Sequence, residues 1–331
     1  MEKIAHLINY AGNGGSEKYI KVLGGDFLIY NIEGDLIKEI KNSKFKIHQI
    51  KMRNPLDLKA AFQLAKFCKK NHIKIIHTHF ARENYIAIIS KIFGSKVKVV
   101  YTSHINLKNN KIWKFMNKCL TKHNHTVIAV CNSVKELLIE NGYPKEKIKV
   151  IYNGANLSEK QTSDDFISQN KPCIVTLARL SKEKGLFFLL DIAKQMPEKH
   201  FIIAGDGPLL EKLINKAPEN VSFPGFSKSK DILEKAALYI NTSKSEALSF
   251  GILEALGFGV PIIATNIGGN IDIIKESSAG RLIQYGNVKE AKEKINEVLE
   301  NRKFYSESAI KAIKTTFSEK TMKERTYEIY L

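Results

Sequence analysis

The sequence contains no apolar run approaching the ~18 residues that a membrane-spanning helix needs. Its opening stretch, MEKIAHLINY, has neither the basic start nor the small-residue cleavage site of a signal peptide, and it is typical of a first β-strand. The four cysteines show no CxxC pairing, so the sequence indicates neither a disulfide framework nor a zinc site. These absences together predict a cytoplasmic protein in a reducing compartment.

Acidic residues are scarce in the first half of the chain. Residues 1–160 contain 28 Lys and Arg against 12 Asp and Glu, whereas the remainder contains 24 against 22. The net charge of +18 is therefore concentrated in one half. This asymmetry favours an anionic partner, which is a nucleic acid, an acidic membrane surface or an acidic substrate. A lysine-rich composition inherited from an AT-rich genome explains the number of lysines but not their confinement.

Short β-rich runs alternate with amphipathic stretches along the whole chain, and this pattern predicts mostly parallel sheets with helices on both faces. Polarity rises over SEKQTSDDFISQNKP, residues 158–172, which we interpret as a linker, and the alternation restarts at CIVTLARL. The fold class predicted is α/β, with two Rossmann-like parallel-sheet domains facing a cleft. The first domain is predicted at 1–160 and the second at 161–317.

Ligands of parallel sheets bind beyond the carboxyl ends of the strands, so the loops that follow strands are the candidate sites. The first such loop contains Gly12, Gly14 and Gly15 ahead of a helix. Its backbone N–H groups are suited to an anion, but a plain tight turn would use the same glycines. Two further loops, AGDGP at 204–208 and PGFSKSK at 224–230, are equally compatible with a ligand and with an ordinary turn.

Two cations stand in the loop LARLSKEKG, beside a predicted helix N-terminus. Arg179 ends the strand and Lys184 opens the helix. Arginine grips two oxygens of a phosphate at once and lysine supplies a mobile point charge, so the pair suits a diphosphate. Lys182 is the alternative cation, and a solvated basic loop is the alternative interpretation.

Two glutamates, Glu246 and Glu254, bracket a nearly apolar strip within SEALSFGILEALGFGVPIIAT. Eight residues of helix would leave their side chains roughly 80° apart, so they would not share a face. We expect Glu246 in a loop and Glu254 early on a helix that runs to about Gly257. Glu254 could then accept hydrogen bonds from a vicinal diol while Glu246 meets a second part of the ligand. Two acids that complement a helix dipole are the alternative.

Several ordered motifs resemble those of the retaining glycosyltransferases of family 4, which have the GT-B fold. They are GGSEKYI, AVCNSVKELLIENGYPKEKIKVIYNGAN, LARLSKEKG, AGDGP, VSFPGF and SEALSFGILEALGFGVPIIATNIGG, the last with its two glutamates and trailing Gly-Gly. The resemblance covers nearly the whole chain. It also makes the final segment, 318–331, similar to the family's C-terminal helix, which crosses back to the first domain.

The resemblance implies a nucleotide-sugar donor, with a UDP- or GDP-sugar expected, bound mainly to the second domain. Arg179 and Lys184 would hold the diphosphate, and Glu254 would bind the ribose hydroxyls. Glu246 would meet the donor sugar and phosphate together with the backbone of Ser249, Phe250 and Gly251. The remaining implied contacts are Gly14 and Gly15 to the diphosphate, Gly205, Phe226 and Ser227 on the base side, and His104 in YTSHIN near the anomeric carbon. A histidine at a strand end is also commonly structural.

The resemblance further implies a hexosyl- or N-acetylhexosaminyltransferase that retains the anomeric configuration and needs no metal or other cofactor. No DxD motif follows a strand in a suitable place, and fixed cations would stabilise the leaving phosphate instead. The acceptor is expected to be a glycan or a lipid-linked glycan of cell-surface polysaccharide or glycoconjugate synthesis. One departure is Glu246-Ala247-Leu248-Ser249 in place of the family's glycine-rich EGFG, which would narrow the sugar pocket.

The basic first half fits a peripheral enzyme at the inner membrane face, since each well-placed lysine adds ~1 kcal/mol of attraction to anionic lipid. Helices predicted at 55–71 and 108–123 combine lysines with aromatic residues that suit either a membrane surface or the core: Phe62, Phe67, Trp113 and Phe115.

The alternatives to a glycosyltransferase are a nucleotide-sugar epimerase or glycosyl phosphorylase on the same fold, and a non-catalytic glycosyltransferase-like subunit. A nucleic-acid-binding protein is a further alternative, which the basic half favours, but no recognition motif is present. All of these alternatives rank well below the transferase.

Overall fold

The computed structural model describes residues 2–12, 14–104, 108–158 and 173–331. The chain divides into two compact units, which are Met1–Tyr152 with Lys323–Leu331, and Asn153–Met322. The observed division thus falls after Tyr152, and the last nine residues are grouped with the first unit. All of the predicted linker at 158–172 except Ser158 lies outside the described residues.

The first unit contains a seven-stranded sheet in the order β3-β2-β1-β4-β5-β6-β7. All neighbouring strands pair in parallel. The strands are β1 Lys3–Tyr10, β2 Phe27–Ile32, β3 Lys46–Gln49, β4 Ile73–Thr78, β5 Lys98–Ser103, β6 Thr126–Ala129 and β7 Ile148–Val150. The strand order reverses between β1 and β4, and such a switch point in a parallel sheet is where a crevice opens.

Helices cover both faces of this sheet, as the alternation of strands and amphipathic stretches predicts. They are α1 Gly15–Leu23, α2 Asp35–Ile40, α3 Leu58–Asn71, α4 Ala81–Ser90, α5 Lys111–Leu120 and α6 Asn132–Glu140. Helix α3 shows why these segments are helical. Asp57 caps its N-terminus by accepting from the backbone N–H of Ala60 at 3.0 Å, and its alanine- and leucine-rich side is buried.

The second unit contains a six-stranded parallel sheet in the order β10-β9-β8-β11-β12-β13. Its strands are β8 Cys173–Leu177, β9 His200–Ala204, β10 Val221–Gly225, β11 Ala236–Asn241, β12 Ile262–Thr265 and β13 Gly280–Ile283. Here the order reverses between β8 and β11. The prediction of two parallel-sheet α/β domains is therefore confirmed.

The helices of the second unit pack around a core of aliphatic and aromatic residues from its strands, to which the edge strand β10 contributes only the partly buried Val221 and Phe223. They are α7 Leu186–Lys194, α8 Leu210–Ile214, α9 Ser229–Leu233, α10 Phe250–Gly257, α11 Gly268–Ser277, α12 Val288–Glu300 and α13 Arg302–Lys314, followed by α14 Glu319–Tyr330, which passes into the residues grouped with the first unit. Within the described residues, no helix is long and apolar enough to cross a membrane.

The sequence pattern did not reveal two strands of the first unit, β3 and β7. Both lie at sheet edges and are only four and three residues long. Strand β3, KIHQ, is exposed or half-buried throughout, so it lacks the apolar run that identifies a central strand. Short, polar edges of this kind also limit pairing with other chains.

Candidate functional site

Lys184 and Glu246 form an ion pair at the switch point of the second sheet. Lys184 ends a 3-10 turn, Lys182–Lys184, in the loop after β8, and Glu246 lies in the loop after the neighbouring strand β11. Lys184 Nζ lies 2.6 Å from Glu246 Oε1, and the glutamate side chain is only 10% exposed. The sequence analysis assigned Lys184 to the diphosphate and Glu246 to the donor sugar and phosphate, whereas in this structure the two side chains form an ion pair with each other.

Glu246 is held by further hydrogen bonds from the end of β11. Ser243 Oγ donates to Oε1 at 2.8 Å and Asn241 Nδ2 donates to the same oxygen at 3.4 Å. A half-buried carboxylate is stable when it is paired and hydrogen-bonded in this way. The carboxylate is thus fixed in position before any ligand arrives.

Glycines allow the loops around this ion pair to approach each other closely. Gly185 has a left-handed φ of +63°, and a Cβ there would lie 2.1 Å from the carbonyl oxygen of Thr242. A Cβ at Gly268 would lie 1.9 Å from the carbonyl oxygen of Glu246. No side chain fits at either position, so the glycine of LSKEKG and the first of the trailing Gly-Gly pair have a packing role that fixes Lys184 and Glu246.

Helix α10 begins directly beside this pair, with Ser249 as its N-cap residue. Phe250 and Gly251 form its first turn, so their N–H groups and the positive end of the helix dipole lie at the carboxyl edge of the sheet. Ser249 is buried, and its hydroxyl lies 3.3 Å from Asn241 Nδ2. A helix N-terminus next to a lysine is suited to a phosphate group.

Glu254 lies in the second turn of α10, as expected from the sequence. Its Oε2 accepts a hydrogen bond from Ser229 Oγ at 2.7 Å, and Ser229 is the first residue of α9. The sequence analysis did not single out Ser229, although it lies within the loop PGFSKSK that was noted as a candidate. A hydroxyl bound to this carboxylate occupies a place that a ligand hydroxyl could take.

The other predicted residues of the second unit also lie at the carboxyl edge of its sheet. Arg179 follows β8 and is exposed, and no salt bridge within the described residues involves it. Gly205 follows β9 with a φ of +141°, packed against the carbonyl oxygen of Ala178. Phe226 and Ser227 follow β10, and Phe226 is 84% exposed.

The glycine loop of the first unit already encloses an anion, the carboxylate of Glu17. The backbone N–H groups of Gly12 and Gly14 each donate to Glu17 at 3.1 Å, and Ser16 Oγ donates to it at 2.8 Å. This arrangement is a capping interaction at the start of α1, whose first residue is Gly15. The sequence analysis missed Glu17, and in this structure the N–H of Gly14 is directed at it.

His104 follows β5 and belongs to a group of four histidines. Its Nε2 lies 3.2 Å from His79 Nδ1, and burial lowers the pKa of His104 to about 3. His6 and His77 complete the group and, like His79, are fully buried. The sequence analysis singled out only His104 of the four. The signal available for the others was the sequence His-Thr-His at 77–79, which lies at the end of a predicted strand.

Sequence comparison assigns both units to glycosyltransferases. The profile of glycosyl transferases group 1 matches residues 158–315, and that of glycosyltransferase family 4 matches residues 26–159. A relative from the cps region of Klebsiella pneumoniae, a 41.2 kDa protein without an assigned function, is 27% identical over 70% of this chain and 72% of its own length. The UDP-Gal:α-D-GlcNAc-diphosphoundecaprenol α-1,3-galactosyltransferase of Escherichia coli is 25% identical over 70% of this chain and 68% of its own.

Solved structures show the same fold. Anabaena HepE, crystallised in complex with UDP, superposes with a TM-score of 0.86 at 20% identity and covers 99% of both chains. The chain therefore belongs to the group 1, family 4 glycosyltransferases and has the GT-B fold of two Rossmann-like units. It is a glycosyltransferase.

Proposed function

We propose that this protein transfers a hexose or N-acetylhexosamine from a UDP- or GDP-sugar to a glycan or lipid-linked acceptor, with retention and without a metal ion, during synthesis of a cell-surface polysaccharide or glycoconjugate. The observation that carries the proposal is the Lys184–Glu246 ion pair at the switch point of the second sheet, beside the N-terminus of α10. The structure of HepE with UDP supports the choice of nucleotide.

The donor diphosphate would compete with Glu246 for the ammonium group of Lys184. When the C1–O bond of the sugar breaks, its electron pair goes to the β-phosphate oxygen. Lys184, Arg179 and the N–H groups that open α10 are the groups that stabilise this charge. The acceptor oxygen forms the new bond to C1 on the face that the phosphate leaves, and the departing phosphate takes its proton.

This arrangement supplies fixed positive charge where many transferases use a divalent cation. Glu246 is the buried acid nearest to this charge, and its Oε1 already accepts from Lys184, Ser243 and Asn241. Glu246 gives up Lys184 when the diphosphate binds, so the proposal of metal-independent chemistry rests on the cations Lys184 and Arg179 and on the N-terminus of α10.

The proposed roles of the remaining donor contacts follow from their placement and from the family. Glu254 would exchange its hydrogen bond from Ser229 for the ribose hydroxyls. Gly205 follows β9, and Phe226 and Ser227 follow the adjacent strand β10, where the base would be expected. In the first unit, Gly15 and His104 would contact the donor, whereas the N–H of Gly14 would have to leave Glu17 first.

An acceptor at the membrane is supported by the surface of the first unit. Helix α5 exposes 73% of Ile112 and 67% of Phe115 between lysines. By contrast, Phe67 packs against the core, and Trp113 stacks on Tyr85 with ring centroids 5.7 Å apart. The Escherichia coli relative acts, by its name, on a diphosphoundecaprenol-linked sugar. We propose peripheral attachment at the inner face of an anionic membrane through this unit.

A thermal-shift screen against UDP, GDP and ADP, with and without their sugars, tests the donor site. We expect UDP or GDP to raise the melting temperature, because a ligand of the folded state stabilises it. Lys184→Ala and Glu254→Ala should each abolish the shift. Lys182→Ala is the matched control, since it removes an exposed lysine of the same loop, and it should keep the shift.

An unchanged shift in Lys184→Ala, or an equal loss in Lys182→Ala, would show that the site is assigned wrongly. The reaction class is tested separately by turnover with the stabilising donor. We expect transfer to a glycan acceptor, insensitive to EDTA, with the donor's anomeric configuration in the product. Epimerised donor would indicate an epimerase, and the absence of any turnover with a bound donor would favour the non-catalytic subunit.

A further inference from the structure

A small polar cavity lies at the edge of the first sheet, where strand β3 leads into helix α3. Its volume is about 270 Å³, and the residues that line it are Gln49, Lys51, Arg53, Asp57, Lys59 and Gln63. All of them belong to the first unit, and none has a role in the proposed donor site. Strand β2 separates β3 from β1, so the cavity lies roughly 10 Å along the carboxyl edge of the sheet from the end of β1. The transfer reaction as described so far leaves this cavity unused.

The segment that leaves β3 presents its polar side chains to one side. Burial alternates along residues 49–53, because Ile50 and Met52 are buried in the core of the first unit. The intervening side chains of Gln49, Lys51 and Arg53 are exposed. Alternation with a period of two is typical of a chain that continues in the conformation of a strand. The three polar side chains therefore project away from the core together.

Hydrogen bonds hold this segment in place from two sides. Asn31 on β2 accepts from the backbone N–H of Met52 at 2.9 Å and donates to the carbonyl oxygen of Met52 at 3.0 Å. Asp57 Oδ2 accepts from the N–H of Arg53 at 3.0 Å, and its Oδ1 accepts from the N–H of Ala60, also at 3.0 Å. Asp57 thus joins the segment to the first turn of α3. The walls of the cavity are fixed before a ligand arrives.

Positive charge dominates the lining of this cavity. Lys51, Arg53 and Lys59 face the single carboxylate of Asp57, and no salt bridge or side-chain hydrogen bond among the described residues engages these three cations. Burial acts to raise the pKa of Asp57. It is outweighed by hydrogen bonds from the N–H groups of Arg53, Ala60 and Lys59 and by the charge of Arg53, which together lower this pKa. At neutral pH the cavity therefore carries three positive charges against one negative charge, and it favours an anionic group.

Hydrogen-bond acceptors line the same cavity. Gln49 Nε2 donates to the carbonyl oxygen of Asn31 at 3.0 Å, so the Oε1 of Gln49 remains as an acceptor. The carboxylate of Asp57 has about four lone-pair sites, of which backbone N–H groups occupy only some. Gln63, one turn after Lys59 on the same face of α3, adds a second side-chain amide. Acceptors of this kind bind hydroxyl groups and repel a simple inorganic anion.

A ligand that satisfies both parts of this lining carries an acidic group and several hydroxyls. An arginine contacts both oxygens of a carboxylate at once, and the two lysines add point charges. A cavity of about 270 Å³ is smaller than the ~300 Å³ at which sites for drug-sized molecules begin, so it suits one monosaccharide unit. A uronic acid has this size and this set of groups. The phosphate of a lipid headgroup needs hydrogen-bond donors alone, and Gln49 and Asp57 would face it with acceptors.

We propose that this cavity binds one acidic sugar residue of a glycan. Lys51, Arg53 and Lys59 hold the acidic group, and Gln49 and Gln63 bind hydroxyls of the same residue. The inference rests on the proposed function for the role of that glycan, which is the acceptor. It narrows the acceptor to a glycan that contains acidic sugars, and it gives the positive charge of the first unit a specific ligand.

The test titrates the protein with methyl glucuronide, methyl glucoside and inorganic phosphate, and follows the backbone N–H signals of residues 51–59 by NMR. We expect methyl glucuronide to bind at least tenfold more tightly than either of the others, because it alone combines a carboxylate with sugar hydroxyls. Arg53→Gln and Lys59→Gln should each weaken its binding about tenfold. Lys66→Gln is the matched control, since it removes an exposed lysine of the same helix outside the cavity, and it should bind as the wild type does.

Turnover tests the role of the bound sugar. With a glucuronate-containing oligosaccharide as acceptor, Arg53→Gln should raise the KM for the acceptor about tenfold and leave kcat and the KM for the donor unchanged. The carboxyl-reduced oligosaccharide, in which each carboxylate is replaced by a hydroxymethyl group, should show the raised KM with the wild type as well.

Several outcomes would overturn the inference. Phosphate bound as tightly as methyl glucuronide would indicate a simple anion site, and a loss of binding to phosphatidylglycerol vesicles in Arg53→Gln without any preference for the glucuronide would indicate a lipid headgroup. Equal effects of Lys59→Gln and Lys66→Gln would indicate attraction by overall charge. Glucuronide binding without any transferase activity would contradict the proposed function and leave the site standing, whereas transfer with equal KM for the acidic and the reduced acceptor would contradict the inference alone.

Discussion

The carboxylate at position 246 accepts hydrogen bonds from an ammonium group, a hydroxyl and an amide, and all three converge on one of its oxygens. None of the three donors would be recognised as functional from its residue type alone. Together they fix the position of the carboxylate, so that it is already in place when a ligand competes for one of the donors. At the scale of single residues, function here depends on partners rather than on residue type.

Glu83 in the first turn of α4 shows the opposite situation. It is completely buried, and no side chain among the described residues donates a hydrogen bond to its carboxyl group. Burial raises the pKa of Glu83 to about 7, and this is only partly opposed by the backbone N–H of Glu83 itself, the charge of Arg82 and the backbone N–H of Asn9. The folded protein thus keeps this group protonated at a pH where the unfolded chain has lost the proton. The contribution of Glu83 to the free energy of unfolding therefore falls as the pH rises from about 4.5 to about 7.

Glu83→Gln should remove this loss of stability at higher pH, because glutamine has nearly the same size and shape as glutamic acid and cannot ionise. We expect the variant to gain stability relative to the wild type between pH 5 and pH 8, by up to about 3 kcal/mol, as measured by urea unfolding. The exposed Glu33→Gln is the control and should show no such gain. A pH-independent difference for Glu83→Gln would contradict the burial argument.

At the scale of elements, glycines determine how closely the strand ends approach the helices. Gly251, in the first turn of α10, lies against β11. A Cβ at this position would lie 2.2 Å from the hydroxyl oxygen of Tyr239, which itself donates to the Leu177 carbonyl at 3.2 Å. The sequence analysis assigned Gly251 to the donor phosphate, and the structure adds a packing reason for glycine there.

Gly251→Ala should therefore lower the melting temperature markedly, by an overpacking cost of about 1–3 kcal/mol. The double variant Gly251→Ala with Tyr239→Phe removes the clashing hydroxyl and should recover part of that loss. Both are compared with Tyr239→Phe alone in a double-mutant cycle. Strictly additive effects would show that the hydroxyl is not the atom that excludes a side chain.

At the scale of the whole molecule, charge and exposed apolar residues coincide on one unit. Residues 1–160 carry nearly all of the net charge of +18, and α5 lies among them. Electrostatic attraction and burial of a few apolar side chains add at a membrane surface, and neither alone is sufficient for stable attachment.

Sedimentation with vesicles tests this attachment. We expect binding to vesicles rich in phosphatidylglycerol but not to phosphatidylcholine alone, and release at high salt. Ile112→Ser with Phe115→Ser should weaken binding several-fold. Phe304→Ser, which alters a side chain 59% exposed in the second unit, should not. Equal binding by all three proteins would contradict a role for α5.

The sequence by itself determined the alternation of strands and helices, the loops that carry Arg179, Lys184, Glu246 and Glu254, and the confinement of positive charge. These features are local, because apolar periodicity, caps and turn residues act over a few neighbouring positions. The edge strands β3 and β7 were missed for the same reason, since their stability comes from the strand beside them.

Only the tertiary structure decided which distant residues meet. Lys184 and Glu246 are 62 positions apart and His6 and His79 are 73 apart, and both pairs form because the strand order reverses between neighbouring strands. Strand order and register depend on the packing of the whole sheet, and no local pattern encodes them. For the same reason the partners of Glu254 and His104 became visible only in the folded chain.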